Sequence, residues 1–232
     1  MTNPMGDLKG QLGHTEAEIT WRDGRIPVST RFDDPYYSLD NGLAETRHVF
    51  LNGNDLPARL RDGFHVAELG FGTGLNLLAL AQSWRAAAVP GRLKFTSFEA
   101  FPMSLEEAQR AHAAFPELAE LAKDFAPLWQ SGHIDLSWIE ARVVIGDGRE
   151  TLPNWDGKAD AWFLDGFSPA RNPELWDPEL MQAVGAKTSP DGTFATYTAA
   201  GAVRRALSEA GFTVERIPGY GRKRHMTRGV RS

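Results

Sequence analysis

The stretch VAELGFGTGLNLL, residues 66–78, decides the fold of this chain. Three glycines at alternate positions, Gly70, Gly72 and Gly74, separate a short apolar run from an apolar segment of helical length. Glycine permits the tight turn and the close backbone approach that a nucleotide-like ligand requires between a strand and a helix. The stretch therefore predicts a strand, a ligand-binding turn and a helix buried on more than one side.

Strands and helices alternate along the chain from Phe64 onward. Apolar runs predict the strands FHVAEL (64–69), LKFTSFEA (93–100), LSWIEARVVIGD (136–147, bent or part of a hairpin), ADAWFLDGF (159–167), GTFATYT (192–198), FTVERI (212–217) and KRHMTRGV (223–230). Helical patterns between most of them predict a mostly parallel, doubly wound sheet. Only PGYGR separates the last two strands, so these should be antiparallel. This Rossmann-like α/β outline is that of the class I S-adenosylmethionine-dependent methyltransferases.

The segment before the first of these strands also has recognisable local structure. The Asp23–Gly24 pair predicts a hairpin turn. Asp40 or Asn41 is the expected N-cap of a helix over 43–51. Four residues share one face of that helix: Leu43, Thr46, Val49 and Phe50.

Length and composition limit the class of protein. The chain has 232 residues and no cysteine, which excludes disulfides, thiolate metal sites and cysteine nucleophiles. We expect an N-terminal extension over residues 1–60 that covers the cofactor site, and a Rossmann-like methyltransferase domain over residues 61–232. The N-terminus lacks a signal-peptide core and no run is long enough to cross a membrane, so we expect a cytoplasmic protein. The six histidines lack metal-ligand spacing, so we expect no metal site.

The charge is unevenly distributed along the chain. A formal net charge of −5 argues against a general nucleic-acid binder. Over residues 203–232, however, only Glu209 and Glu215 oppose a set of basic residues: Arg204, Arg205, Arg216, Arg222, Lys223, Arg224, Arg228 and Arg231. This tail is either a solvated charged surface or a patch that meets a polyanion.

The glycine turn and the residues around it favour one class of ligand. A dinucleotide fingerprint needs a third glycine where Leu75 stands, and a pyrophosphate would be repelled by Glu68 at the strand end. S-adenosylmethionine carries an ammonium and a sulfonium and no phosphate, so a carboxylate suits it. Asn76, at the start of the following helix, is a further cofactor-binding candidate. A dinucleotide, or a turn that serves packing alone, remains the alternative.

Two acidic residues follow the second and third strands. Glu99 lies where a carboxylate accepts both ribose hydroxyl hydrogens, although a nucleoside of either cofactor class would use it. Asp147 is placed to bond the adenine amino group, and Gly148 keeps the backbone open. A solvated glutamate and a simple Asp-Gly turn are the alternatives for these positions.

The fourth strand ends in FLDGFSPARNPELW, where an aspartate would face the reactive methyl group. The loop resembles, without matching, the acidic-Pro-Pro-aromatic loop of amino-group methyltransferases. Asp165 would accept N–H bonds from an incoming amine and orient its lone pair, and Phe167 would pack on the substrate or stabilise its positive charge. Methyl transfer depends mainly on holding nucleophile, methyl and sulfur in line. The alternative is that Asp165 only caps the loop.

Four motifs together resemble one family. FDDPYYSLDNGLAETRHVFLNGNDLPARL, ELGFGTGLNLL, DAWFLDGFSPARNPELW and GYGRKRHM are similar to the methyltransferase domain of the tRNA 5-methylaminomethyl-2-thiouridine biosynthesis (MnmC-like) proteins. The similarity extends roughly from Trp21 to Met226. Its most specific motifs are DNGLAETRHVFL and FLDGFSPARNPELW.

The resemblance implies an activity and a partner. It implies methylation by S-adenosylmethionine of the primary amine of 5-aminomethyl-2-thiouridine, at the wobble position of tRNA. Because the chain shows no second domain of the fused family members, we expect a separate enzyme to supply the amine. The resemblance implies cofactor or catalytic roles for Glu68, Gly70, Gly72, Gly74, Glu99, Asp147, Gly148 and Asp165.

The same resemblance implies weaker candidates for contacts with substrate. We infer a cover over the cofactor from YYSLDNGLAET, with candidates Tyr36, Asn41 and Glu45; each is equally explained by a capped helix packing on the domain. Arg171 would contact the tRNA beside the flipped base. Five residues of the basic tail would bind phosphates of the anticodon arm: Arg204, Arg205, Arg222, Lys223 and Arg224.

Other functions compete with tRNA methylation. The chain could methylate an amine of a small molecule or a protein, or serve as a non-catalytic module that keeps the cofactor pocket. Asp165 argues against a non-catalytic module. A nicotinamide dehydrogenase is the least favoured.

Overall fold

The computed structural model describes residues 15–38 and 41–231. Its strands are β1 (Ile19–Arg22), β2 (Ile26–Ser29), β3 (Asp34–Pro35), β4 (His65–Leu69), β5 (Leu93–Glu99), β6 (His133–Leu136), β7 (Ile139–Ile145), β8 (Ala159–Leu164), β9 (Thr188–Thr196), β10 (Phe212–Pro218) and β11 (His225–Arg231). Its α-helices are α1 (Gly42–Thr46), α2 (Leu75–Ala87), α3 (Leu105–His112), α4 (Ala119–Phe125), α5 (Leu128–Ser131), α6 (Gly148–Thr151), α7 (Pro178–Ala186) and α8 (Gly201–Glu209). A π-helical turn (Arg47–Leu51) and 3₁₀ turns (Asn52–Asn54, Pro116–Leu118, Pro173–Trp176) complete the helical segments.

The central sheet has the strand order β10-β11-β9-β8-β4-β5-β7-β6. The five inner strands β9, β8, β4, β5 and β7 are parallel, whereas β6 pairs antiparallel to β7 and β11 pairs antiparallel to both β9 and β10. The class I methyltransferase fold and the antiparallel pairing of the last two strands are confirmed. The segment predicted to be bent or part of a hairpin belongs to the hairpin of β6 and β7. The strand order reverses direction between β4 and β8, which is where open α/β sheets bind ligands.

Apolar side chains cover both faces of the sheet. Val66 and Phe163 belong to one buried cluster, together with leucines of α2. Ala67 and Trp162 belong to the other, together with residues of α7 and α8. Successive residues of a strand point to opposite faces, so each inner strand contributes to both clusters. Helix α2 buries most of its residues, as its sequence predicts.

The structure departs from the sequence prediction in two places. Strand β9 begins at Thr188 rather than Gly192 and ends before Tyr197. Its pairing with β8 is irregular, and Asp191 has a φ of 59°, which gives this part of the strand the character of a turn. No element was predicted for 116–131, where Pro127 separates the short helices α4 and α5.

The N-terminal segment forms a small sheet followed by a helix. Strands β1 and β2 make the expected hairpin, and β3 pairs with β2. The amide N–H of Ala44 donates to Asn41 Oδ1 at 2.9 Å, so Asn41 is the N-cap of α1, while Asp40 lies outside the described residues. The four residues predicted to share a helical face are all buried. Within the described part of the chain, no helix is long and apolar enough to span a membrane.

Candidate active site

A cavity of about 730 Å³ lies at the carboxyl ends of β4, β5, β7 and β8. Its volume is in the range of small-molecule binding sites. The N-terminal segment forms the opposite wall, with residues from β3, from α1 and from the connection between them. Twelve of the site residues expected from the sequence line the cavity: Tyr36, Glu45, Gly70, Gly72, Asn76, Glu99, Asp147, Gly148, Asp165, Phe167, Arg222 and Lys223.

The glycine turn allows close approach of the chain at two points. Gly70, Gly72 and Gly74 all have positive φ, at 81°, 53° and 71°. A Cβ at Gly70 would lie 3.2 Å from the carbonyl oxygen of Asp165, so the turn packs against the end of β8. A Cβ at Gly74 would lie 2.8 Å from the Trp129 ring. Gly74 therefore serves the packing beneath α2 rather than the cavity surface.

Glu99 is fixed by backbone donors at the end of β5. The N–H of Gly72 donates to Oε2 at 2.9 Å and the N–H of Phe101 donates to Oε1 at 2.8 Å. Burial raises the pKa of Glu99, and the backbone hydrogen bonds act in the opposite direction. Each carboxylate oxygen keeps lone pairs for further donors, which suits a pair of ribose hydroxyls.

Asn76 connects two carboxylates beneath the cavity. Its Nδ2 donates to Asp165 Oδ2 at 2.7 Å and to Glu68 Oε1 at 2.9 Å, while its Oδ1 accepts from Thr46 Oγ1 at 2.9 Å. We expected Glu68 to meet the cofactor, but the structure buries it completely under Asn76, where Ser97 Oγ also donates to it at 2.6 Å. Burial raises the pKa of Glu68 well above its ordinary value. Any effect of Glu68 on a ligand therefore passes through Asn76.

Asp165 is the carboxylate that reaches the cavity at the end of β8. Besides Asn76, the N–H of Gly166 donates to its Oδ1 at 2.8 Å. Burial raises its pKa from 3.8 to about 6, against the effects of these two hydrogen bonds and of the positive charge of Lys223. The carboxyl group is therefore mostly ionised at neutral pH, with lone pairs left for a further donor.

The third strand end differs in detail from the expectation. Asp147 caps α6 through the N–H of Arg149 at 2.9 Å, and the Arg149 guanidinium bonds both carboxylate oxygens. This pairing holds the pKa of Asp147 below its usual value. Asp147 is thus a helix N-cap rather than part of a simple Asp-Gly turn, and Asp147 and Gly148 line the cavity. An adenine contact would have to share this carboxylate with Arg149.

Aromatic rings form one wall beside Asp165. Phe167 stacks on Phe32 with ring centroids 4.7 Å apart and meets Tyr36 edge-on at 5.0 Å. The carbonyl of Phe167 accepts from Trp176 Nε1 at 2.9 Å, and Tyr197 Oη donates to the carbonyl of Gly166 at 2.7 Å. These bonds hold the loop after β8 in place.

The N-terminal sheet is bonded directly to this loop. The N–H of Ser168 donates to Asp34 Oδ2 at 3.0 Å. Arg171, expected to contact substrate, instead pairs with Asp33 at 3.0 Å and does not line the cavity. Phe32 and Asp34 were missed by the sequence analysis, because only the folded chain brings β3 beside the loop after β8.

Of the three basic residues expected in the loop between β10 and β11 to bind the substrate, two line the cavity and one does not. Lys223 Nζ lies 2.9 Å from Glu45 Oε1 and 3.9 Å from the ring centroid of Tyr197. Arg222 also lines the cavity, whereas Arg224 is exposed and does not. Lys223 therefore lines the cavity beside Glu45 and Tyr197, while its side chain stays 45% exposed.

The remaining candidates lie away from the cavity surface. Asn41 caps α1, and Arg204 Nε donates to the carbonyl of Ala199 near the start of α8. Among the residues described, no group of His, Cys, Asp and Glu is arranged to hold a metal ion.

A family model described as S-adenosyl-L-methionine-dependent methyltransferase matches residues 113–232. The chain belongs to this family. The matched range contains Asp147 and Asp165 but begins after the glycine turn. The relatives below align with nearly the whole chain. The proteins named tRNA 5-methylaminomethyl-2-thiouridine biosynthesis bifunctional protein MnmC from Caulobacter sp. (strain K31) and Stutzerimonas stutzeri are 47% and 42% identical to this methyltransferase, over 93% and 97% of its length. The chain spans only 38% and 36% of those relatives.

A solved structure is also similar to this methyltransferase. The crystal structure of MNMC2 from Aquifex aeolicus superposes with a TM-score of 0.72 at 25% identity. The match covers 94% of this methyltransferase and 71% of that chain. The similarity therefore extends beyond the central sheet into the N-terminal segment.

The family cofactor, S-adenosyl-L-methionine, fits the residues of the cavity. Glu99 offers free lone pairs for ribose hydroxyls, and Phe98 and Leu180 add apolar lining. Leu75 stands where a dinucleotide fingerprint needs its third glycine, whereas Asp165 suits a neighbouring sulfonium. The cavity favours a cationic nucleoside over a phosphorylated one.

Proposed function

We propose that this methyltransferase transfers the methyl group of S-adenosyl-L-methionine to the primary amine of a 5-aminomethyl-(2-thio)uridine at the wobble position of tRNA. The observation that carries the proposal is Asp165, a fixed carboxylate at the cavity surface beside an aromatic wall. The names of the relatives and of the superposable structure support the choice of substrate.

The chain's own residues would orient and deprotonate the amine. Asp165 accepts two hydrogen bonds from the protein, and its remaining lone pairs can accept the N–H groups of the substrate. An ionised carboxylate also receives the proton that the nitrogen must lose. When bound, the cofactor supplies a methyl group whose C–S bond breaks, with both electrons going to sulfur, as the nitrogen lone pair forms the new N–C bond.

The aromatic wall would hold the base that carries the amine. A wobble base must leave the anticodon stack to enter a cavity of this depth, and enzymes commonly hold such a base between aromatic rings. Rings are provided at the Asp165 end of the cavity by Phe167, Phe32 and Tyr36. We propose that residues 1–60, part of which carry two of these rings, act as a cover and that 61–232 carry the cofactor.

The RNA and the source of the amine follow from the same proposal. Arg222 and Arg224, in the loop beside the cavity, would contact phosphates of the anticodon arm, as would Arg204 and Arg205 of α8. We propose that a separate enzyme supplies the aminomethyl group. A tRNA substrate would place the reaction in the cytoplasm.

A methyl-transfer assay with alternative acceptors tests the proposal. Labelled cofactor is incubated with an anticodon stem-loop bearing 5-aminomethyluridine, with the same RNA bearing plain uridine, and with free alkyl amines or lysine peptides. We expect label only in the first RNA. Label in the free amines or peptides would favour a small-molecule or protein substrate, and no transfer despite cofactor binding would favour a non-catalytic module.

A further inference from the structure

Lys223 occupies an unusual position for a lysine of a basic surface loop. Its ammonium pairs with Glu45 at 2.9 Å and lies 3.9 Å from the ring centroid of Tyr197. Tyr197 in turn bonds the carbonyl of Gly166, next to Asp165. The side chain of Glu45 is 12% exposed, and that of Lys223 is 45% exposed. The cation is thereby fixed at the wall of the cavity, at the end where Asp165 lies.

Three carboxylates lie at this end of the cavity, besides the cations Lys223 and Arg222. Asp165 comes from the end of β8, Glu45 from α1 and Asp34 from β3, and all three line the cavity. The positive charge of Lys223 reaches Asp165, because it opposes the rise in the pKa of Asp165 that burial causes. The other titratable or charged groups that face this end, or pack on the loop of Lys223, are Tyr36, His48, Tyr197, Tyr220 and Arg222.

An amine acceptor creates an electrostatic problem in such a site. An alkyl primary amine has a pKa of about 10, so it is mostly an ammonium ion at neutral pH and has no lone pair for attack. Nearby carboxylates stabilise the ammonium and raise its pKa further, whereas a nearby cation lowers it. A site with Asp34, Glu45 and Asp165 alone would therefore hold the acceptor in its unreactive form.

We propose that Lys223 is a positioning residue that neutralises Glu45 and keeps the bound acceptor amine in its neutral, nucleophilic form. The proton balance is simple: R–NH₃⁺ gives one proton to Asp165 or to solvent, and R–NH₂ then attacks the methyl group. The inference rests on the proposed function, since it assumes an amine acceptor. It gives Lys223 a role different from the phosphate contact expected for the loop.

The test compares charge-changing variants across pH. The kcat for the 5-aminomethyluridine stem-loop is measured at saturating RNA and cofactor between about pH 6 and pH 10 for wild type, Lys223→Met, Lys223→Arg and Glu45→Gln. The pKa of Asp165 is about 6. A fall in kcat on acidification with its midpoint above pH 7 therefore reports protonation of the bound amine. Lys158→Met serves as the control. It removes the same charge just before β8, at the end of that strand that lies away from the cavity.

The expected shifts differ in sign. Lys223→Met moves the acidic limb up by about one pH unit, which lowers kcat about tenfold near neutral pH and restores it at high pH. Lys223→Arg keeps the wild-type limb, Glu45→Gln moves it down, and Lys158→Met leaves it in place. Calorimetry with S-adenosylhomocysteine shows that the cofactor site is intact in each variant.

Two results would overturn the inference while the proposed function stands. One is a loss of activity in Lys223→Met that is equal at every pH, and the other is a Lys223→Arg profile that matches Lys223→Met. A wild-type protein that binds cofactor but methylates no amine RNA would refute the proposed function itself, and this inference with it.

Discussion

Replacing Asn76 by alanine should destabilise the fold as well as the site. The side chain is 5% exposed and makes three hydrogen bonds, to Asp165, to Glu68 and from Thr46. A bond to an ionised partner contributes about 2 kcal/mol and a bond to a neutral partner about 1 kcal/mol, so the loss is about 4 kcal/mol with Asp165 ionised. That is a large fraction of the stability of an ordinary domain.

The cost of this substitution should depend on pH. Burial raises the pKa of Asp165 from 3.8 to about 6. A carboxyl pKa that is raised in the folded state contributes to the free energy of unfolding. This contribution is fully present when the pH is below the pKa of the unfolded state, and it is lost as the pH rises through about 6. Without the Asn76 donor the ionised form is less stable still, so the cost of Asn76→Ala should be about 1 kcal/mol greater at pH 8 than at pH 5.

Urea unfolding at the two pH values measures both quantities. Gln82→Ala on the same helix is the matched control, because Gln82 bonds Arg47 and the carbonyl of Glu117 at an exposed position. Its cost should be below about 1 kcal/mol and independent of pH. An Asn76→Ala cost below about 1 kcal/mol, or the same cost at both pH values, would refute the assignment of Asn76 as the donor that supports Asp165.

Three further predictions concern the site and the turn. Asp165→Asn should lower kcat for methyl transfer by about 10²-fold or more, since it removes the ionised acceptor of the amine proton; an unchanged rate would leave Asp165 a loop cap. Glu99→Gln should weaken S-adenosylhomocysteine binding about 10- to 100-fold in calorimetry, whereas the exposed Glu106→Gln on α3 should not; equal affinities would contradict a ribose contact. Gly74→Ala should lower the free energy of unfolding in urea by about 1–2 kcal/mol more than Gly63→Ala. Both glycines have positive φ, but only at Gly74 would a new Cβ lie 2.8 Å from Trp129. Equal costs would mean that the Trp129 contact relaxes freely.

The fold could be predicted largely because each inner strand is an apolar run followed by a helix. The C-terminal hairpin followed from the five residues between its strands, which are too few for a helix. The start of β9 could not be predicted, because Pro190 and Asp191 carry turn signals and β9 pairs with β8 only on either side of them, at Thr188 and from Thr193 onward. The short helices α4 and α5 lacked the length that makes a helical period visible.

The site could be predicted most directly where the chain places a residue at a strand end. Asp165 follows β8 and Glu99 ends β5, and both reach the cavity. Glu68 lies within β4 and points to the same face as Val66, which α2 covers, so strand alternation buries it. The pairing of Lys223 with Glu45 joins residues 178 positions apart and has no local signal.

The most direct test of the account is the mass of the wobble nucleoside. An anticodon stem-loop bearing 5-aminomethyl-2-thiouridine is incubated with the protein and S-adenosylmethionine, digested to nucleosides and analysed by mass spectrometry, with Asp165→Asn in parallel. The account predicts conversion of the aminomethyl nucleoside to its mono-methylated form by the wild type and little conversion by the variant. An unmethylated nucleoside with wild-type protein that binds the cofactor, or a methyl group found on another nucleoside, would contradict it.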